Sequence, residues 1–229
     1  MSLSRRQFIQ AGAIAATATF LDPATAATPK PDITHGTRTK AQVALTFHGA
    51  GASAIADSLL QILRTAKTPV SIFAVGTWLI SNPNYAKTIL ADGHDLGNHT
   101  LHHYPMKTLT AKQVDSEIAG GAAELKKLIG NHGSWFRPSG TQHTTALIRK
   151  SAIKYGYNQS ISYEVDSMDY TDPSKTAIIN NVMNSVQNGS IISLHFGHKN
   201  TVSALPTLLE KLHAKGFTPV TLTTMLGKI

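Results

Sequence analysis

From Ala41 to Leu222 the chain alternates between short runs of β-forming residues and segments whose apolar side chains recur at helical spacing. This alternation constrains the fold more than any other feature. Ala41–Phe47 (AQVALTF), Pro69–Val75, Asp95–Asn98, Trp135–Phe136, Ser160–Val165, Ser190–Leu194 and Phe217–Leu222 read as strands. Ala54–Lys67, Pro83–Ala91, Thr110–Leu128, Thr144–Lys154, Ser174–Val186 and Leu205–Lys215 read as helices. The longest of these carries Lys126 and Lys127 in its last turn and Gly130 just past it, which marks a helix end. About seven strands and six helices joined by short links predict an α/β protein with a parallel sheet, doubly wound or closed as a barrel. Right-handed crossovers put the helices of such a barrel on the outside. No repeat, low-complexity run or internal linker follows residue 40, so 41–229 reads as one domain.

The 229 residues are 41% hydrophobic and 15% charged, a globular composition that excludes wholesale disorder. The absence of cysteine removes disulfides, thiolate metal sites and a cysteine nucleophile together. A formal charge of +8 is compatible with nucleic acid, an anionic surface or an acidic polymer, and by itself selects none of them.

The first residues narrow that choice. Ser4-Arg5-Arg6-Gln7-Phe8-Ile9 opens a basic start, followed by a mild apolar run from Ala11 to Leu21, Pro23 and the small triplet Ala24-Thr25-Ala26. This order reads as a signal peptide over 1–26, and the paired arginines before Phe-Ile resemble a bacterial twin-arginine signal. The apolar run is too short and too rich in Ala and Thr to span a bilayer, so no transmembrane anchor is expected in the mature protein. Residues 27–40, with their Pro and Gly, read as a linker. An exported, basic protein is expected to meet anionic cell-wall polymers and not nucleic acid.

Residues able to do chemistry fall just beyond the C-terminal ends of the expected strands: His48 after the first, His99 and His103 after the third, Arg137 after Trp135–Phe136, Asp166 and Asp169 after Val165, and His195 after Leu194. In parallel α/β barrels the active site forms on that face. His99 and His103 are four apart, so a helical turn would aim both rings one way, a pattern suited to a divalent metal of zinc type. His102 would point elsewhere. His35, His132 and His213 read as solvated.

These segments, in this order, resemble the polysaccharide deacetylases of carbohydrate esterase family four, which include chitin, chitooligosaccharide and peptidoglycan N-deacetylases. The resemblance runs from Ala41 to Leu226 and implies a distorted (β/α) barrel. Gly93-His94-Asp95-Leu96-Gly97-Asn98-His99-Thr100 is similar to the second motif, whose two histidines hold the metal, implying His99 and His103 as ligands. Phe136-Arg137-Pro138-Ser139-Gly140 resembles the third, with Gly140 at a position that supplies a backbone N–H to the oxyanion; glycine keeps that donor at the cost of a looser loop. Val165-Asp166-Ser167-Met168-Asp169-Tyr170 resembles the fourth, with Tyr170 where Trp is usual. Gly189-Ser190-Ile191-Ile192-Ser193-Leu194-His195 resembles the fifth, with Ser193 in place of an apolar residue lining the acetyl pocket.

The first motif departs. Where the family carries Thr-Phe-Asp-Asp-Gly, this chain reads Thr46-Phe47-His48-Gly49, so both carboxylates are missing. Aligned with one deletion, His48 is a third metal ligand; aligned without, it stands where the base stood. Three imidazoles would leave an open position on a metal and lower the pKa of its water to about 7. The resemblance implies His195 as the acid, oriented by Asp169. Gly140 would share the oxyanion, and Arg137, near His48, would keep that ring neutral. Three readings follow: a secreted metal-dependent N-deacetylase of cell-wall or chitin-like sugars, a catalytically silent glycan-binding relative, and a barrel amidohydrolase for a small non-sugar amide. Tyr104, Trp135 and Tyr170 are the aromatic candidates for a sugar groove. His198 and Asp166 are spare groups on the same face.

The export reading has a direct test. Replacing Arg5 and Arg6 with Lys is expected to leave unprocessed precursor inside the cell, measured by fractionation and immunoblotting. Normal secretion of that variant would rule out the twin-arginine route.

Overall fold

The computed structural model describes residues 30–227. The expected signal segment 1–26 and the first residues of the expected linker lie outside the described residues. Strand β1 (Gln42–Gly49) leads through α1 (Ser53–Thr65) to β2 (Ser71–Ala74), α2 (Gly76–Ser81), α3 (Asn84–Ala91) and β3 (Asp95–Asn98). Then come α4 (Ala111–Ile129), α5 (Ala146–Lys154), β4 (Val165–Asp166), α6 (Lys175–Met183), β5 (Ile191–His195), α7 (Lys199–Ala214), β6 (Thr218–Pro219) and α8 (Leu222–Leu226).

The strands pair in parallel in the order β3-β2-β1-β5-β4, with β6 on the first residues of β1. Beyond β3 the wall continues through single backbone bonds. Arg137 N–H donates to the Asn98 carbonyl at 3.0 Å, Ile161 N–H to the Phe136 carbonyl at 2.8 Å, and Glu164 N–H to the Ile191 carbonyl at 3.2 Å. The result is a distorted barrel whose wall between β3 and β4 is stitched by bridges and not by full ladders. Trp135–Phe136, expected as a strand, contributes one bridge from Phe136 to Asn98.

Side chains alternate across each strand, and the alternation sorts them by chemistry. On β1, Val43, Leu45 and Phe47 face the helices; on β5, Ile192 and Leu194 do the same, packing with Leu59, Leu63, Leu205 and Leu208. Each fully buried Leu or Phe of this layer stabilises by about 1.5–3 kcal/mol. The intervening residues Thr46, His48, Ser193 and His195 face inward, toward the barrel mouth.

Local signals account for the helix ends. Thr110 caps α4 by accepting from Gln113 N–H while the Gln113 side chain accepts from Thr110 N–H, and Gly130 closes it at φ +80. Helix α7 starts at Lys199, earlier than the expected Leu205, and runs through Pro206. The short α2 was not expected. The last expected strand, Phe217–Leu222, is only β6, and its end is the start of α8.

Asp115 on α4 clamps α5, accepting from Ser151 Oγ at 2.7 Å, Lys154 Nζ at 2.8 Å and Tyr155 Oη at 2.7 Å. These donors, the Lys154 ammonium foremost, hold its carboxyl down at about 2. A carboxyl depressed in the folded state stabilises above its unfolded value, about 3.9, and loses that contribution as pH falls through about 2. Asp115→Asn is therefore expected to lower stability at pH 7 by at most about 1 kcal/mol, since solvent screens the pair. In thermal melts the gap to wild type should close between about pH 4 and pH 2.

Candidate active site

Register sets the centre of the site. His48 on β1 is paired with His195 on β5, and their ring centroids lie 4.0 Å apart. His99 follows β3, with its ring 4.9 Å from His48, and His103 lies 5.0 Å from His99. The helical turn expected over His99–His103 is replaced by a tighter bend in which Thr100 and His103 take φ +68 and +66. Side chains hold that bend: the Asn98 Oδ1 accepts from Thr100 N–H at 2.8 Å, and Thr100 Oγ1 donates to Ser139 Oγ at 2.9 Å. His102, expected to point away, gives its backbone N–H and its Nδ1–H to the buried carboxylate of Glu117 at 2.8 and 2.7 Å.

His99 donates Nδ1–H to the Arg137 carbonyl at 2.9 Å, which leaves its Nε2 as a buried nitrogen without a partner. His48 bonds through Nε2 to Ser193 Oγ at 2.9 Å, and its buried Nδ1 has no partner. Burial, reinforced by neighbouring imidazoles and the Arg137 guanidinium, drives both rings well below the ordinary histidine value. His103 is lowered by burial and by His195. These rings are therefore neutral at pH 7 and carry lone pairs.

Arg137 is fully buried, donating to the carbonyls of Ile161 (3.3 Å) and Ser162 (2.9 Å) and to Thr46 Oγ1 (2.9 Å). Burial lowers its guanidinium to about 9, so it stays cationic at neutral pH. His195 donates Nδ1–H to Asp169 Oδ1 at 2.7 Å, and Asp169 Oδ2 accepts from His195 N–H at 2.8 Å and Thr201 Oγ1 at 2.6 Å. Burial raises the Asp169 carboxyl, but these donors outweigh it and keep the group below its usual range. Gly140 stands at φ +61 with Pro105 Cα 2.8 Å from where a Cβ would be, so the expected looseness of its loop is countered by packing that only glycine permits.

His48, His99, His103, Arg137, Gly140 and His195 thus line one cavity of about 480 Å³, with Asp169 behind His195. The three rings expected as metal ligands are brought together pairwise. Among the described residues no group of three or more His, Cys, Asp or Glu side chains is spaced to hold an ion. The chemistry of the set still suits a nitrogen-preferring divalent metal: the second nitrogen of His99 is held by a carbonyl, that of His48 by a hydroxyl, and the free ones are bare. Tyr163 lines the cavity and was not anticipated, because nothing in its local sequence distinguishes it from a core tyrosine. His198, paired with Asp172 at 2.8 Å, and Tyr170 line it too, whereas Asp166 binds its own Met168 N–H. Trp135 is no groove aromatic: it is buried, with its indole N–H on Asp95 and Thr223. His132, read as solvated, is half-buried against Tyr157. A second depression of about 420 Å³ between α1 and α7 carries no comparable convergence of titratable groups.

An inward histidine cluster with a carboxylate-backed imidazole at the C-terminal mouth of a parallel barrel defines a hydrolase-like site. The chain belongs to the polysaccharide deacetylase family, which it matches over residues 35–160. It is 29% identical over 188 residues to a peptidoglycan-N-acetylglucosamine deacetylase of Bacillus cereus, covering 80% of this chain and 87% of that protein. The fold is similar to a CE4 family pseudoenzyme of Bacillus anthracis in a mutant with restored enzymatic activity, with a TM-score of 0.79, 27% identity, and 86% and 71% of the two chains covered. It is also similar to a family 4 carbohydrate esterase of Streptomyces lividans in complex with acetate, with a TM-score of 0.73, 30% identity, and 82% and 95% covered.

Arg137→Met is expected to lower the unfolding free energy by about 1–3 kcal/mol, because it strands two buried carbonyls and a hydroxyl. Arg137→Lys should rescue little, since one ammonium cannot span all three acceptors. Urea denaturation measures both, and a gain in stability for the Met variant would contradict this account of the site.

Proposed function

We propose that this chain is an exported, metal-dependent N-deacetylase of cell-wall or chitin-like polysaccharide. The observation that carries the reading is the pair of bare, buried nitrogens, His48 Nδ1 and His99 Nε2, on two rings that line one cavity with the Asp169-backed His195. The Bacillus cereus relative supports peptidoglycan as the substrate class. His99, His103 and His48 would hold the ion, and an all-imidazole donor set favours zinc. A divalent ion there would polarise the acetamide carbonyl and acidify water.

The remaining chemistry belongs to the chain's own groups. His195 presents Nε2 to the cavity because Asp169 holds its Nδ1–H; Nε2 takes up a proton from water to form the imidazolium, which gives that proton to the departing amine and returns to neutral imidazole. The Gly140 N–H donates to the developing oxyanion. Arg137 opposes protonation of His48 and keeps that nitrogen available.

A second reading, a catalytically silent relative that binds glycans, is favoured by one observation: no Asp or Glu is among the described residues lining the cavity. Acetate release from peptidoglycan and chitooligosaccharides, measured beside zinc stoichiometry, separates the two. His195→Ala should lower turnover about 10²–10⁴-fold with zinc content unchanged. His48→Ala should lose zinc and activity together, with partial recovery in excess zinc; zinc retained while turnover drops would make His48 the base. Wild-type protein that releases no acetate from either substrate would favour the silent relative.

A further inference from the structure

We propose that Ser193 is a positioning residue that decides which nitrogen of His48 serves the site, by accepting the Nε2 proton and leaving Nδ1 as the free lone pair. The inference rests on the deacetylase reading for its consequence, but its geometry does not. In the β1–β5 register, Thr46 is paired with Ser193 and His48 with His195, so Ser193 lies two residues deeper in the barrel than the His48 row. The 2.9 Å bond from His48 Nε2 to Ser193 Oγ therefore points one edge of the ring down the barrel, where Ser193 is fully buried.

A hydroxyl can accept or donate, and its surroundings favour accepting. What decides between the two is the other nitrogen of the His48 ring. In the opposite arrangement, with Ser193 donating to Nε2, the proton of a neutral His48 sits on Nδ1, a buried atom with no acceptor. His48 lines a cavity with the Arg137 guanidinium and with His99, His103, His195 and His198, a surrounding in which a buried lone pair is better placed than an unpaired N–H.

His99 supplies the comparison. Its Nδ1–H must donate, since its partner is the Arg137 carbonyl, and its Nε2 is bare. The two rings, 4.9 Å apart, thus have the same construction, one nitrogen held by an oxygen of the barrel wall and the other free. Such outer oxygens fix the tautomer and orientation of a ligand or base. Ser193 would do for His48 what the Arg137 carbonyl does for His99. Whether His48 serves as ligand or base, the atom that does so is Nδ1.

Two-dimensional ¹H–¹⁵N spectra of ¹⁵N-histidine-labelled, metal-free protein at pH 7.5, a condition of about neutral imidazole, read the tautomer directly, with His48 assigned by the peaks lost in His48→Gln. The expected result is a single Nε2–H form for His48 in wild type, a mixed or Nδ1–H form in Ser193→Ala, and recovery of the wild-type form in Ser193→Thr. Zinc titration of the same proteins should show about 10–100-fold weaker binding for Ser193→Ala, recovered in Ser193→Thr. An Nδ1–H form of His48 in wild type overturns the proposal, and so does an unchanged tautomer in Ser193→Ala. If the alanine variant does not fold, the wild-type tautomer alone decides. Wild-type protein with the expected tautomer but no zinc binding and no acetate release would refute the deacetylase reading and leave the role of Ser193 standing.

Discussion

Arg137 ties the mouth of this barrel together from the inside. Its guanidinium reaches Thr46 on β1 and the carbonyls of Ile161 and Ser162, its backbone N–H is bound to Asn98 of β3, and its own carbonyl holds the ring of His99. The wall between β3 and β4 has no full ladder among the described residues, so these bonds add to the few backbone bonds that hold that side in register. A buried cation is costly unless something replaces its water. Here the replacements are dipoles and π-faces: two carbonyls, a hydroxyl, and the rings of Phe73 and Tyr163 at 4.5 and 5.3 Å. No carboxylate forms a salt bridge with it among the described residues.

That cation organises the electrostatics around it. His48 and His99 are kept neutral first by burial, with the neighbouring imidazoles and the guanidinium pushing the same way, so both carry lone pairs. His195 differs because Asp169 is beneath it and Thr201 beneath Asp169. Within one cavity, two imidazoles thus carry a free, buried nitrogen and a third is backed by a carboxylate. Burial is shared by all of them; the oxygen behind each ring makes the difference.

The parallel α/β architecture was legible because apolar runs of four to eight residues alternated with helical periods, and the cavity was legible because its residues follow strand ends. What escaped the sequence has physical causes. The helix expected over Leu205–Lys215 in fact begins at Lys199 and holds Pro206 within it, at the end of its second turn. Trp135 looked like a groove aromatic until tertiary packing placed its indole N–H on Asp95 and Thr223, contacts forty and eighty-eight residues away. The bend at His99–His103 depends on two non-glycine residues at positive φ, stabilised by Asn98, Ser139 and Glu117, and local spacing carries no sign of such long-range support. Tyr163 was invisible for the same reason.

The altered first motif changes the charge of the cavity more than its shape. A carboxylate at position 48 would face Arg137 and cancel it, whereas a neutral imidazole leaves the guanidinium's charge in place. A cavity of that sign favours anionic species over cationic ones. The pair of Asp169 and His195 is built at a cost of its own. Asp169 is fully buried beneath His195, at a desolvation cost offset only by three converging donors. Surface stacking of sugars needs no such buried carboxylate. In a CE4 family pseudoenzyme, a mutant with restored enzymatic activity shows that the barrel can outlast its chemistry in that protein. In this chain His48 stands where the family resemblance places a carboxylate, and Ser193 binds it at 2.9 Å. A buried hydroxyl bound to one nitrogen fixes the orientation of that ring, so the side chain at position 48 has a partner in the barrel wall as His99 has in the Arg137 carbonyl.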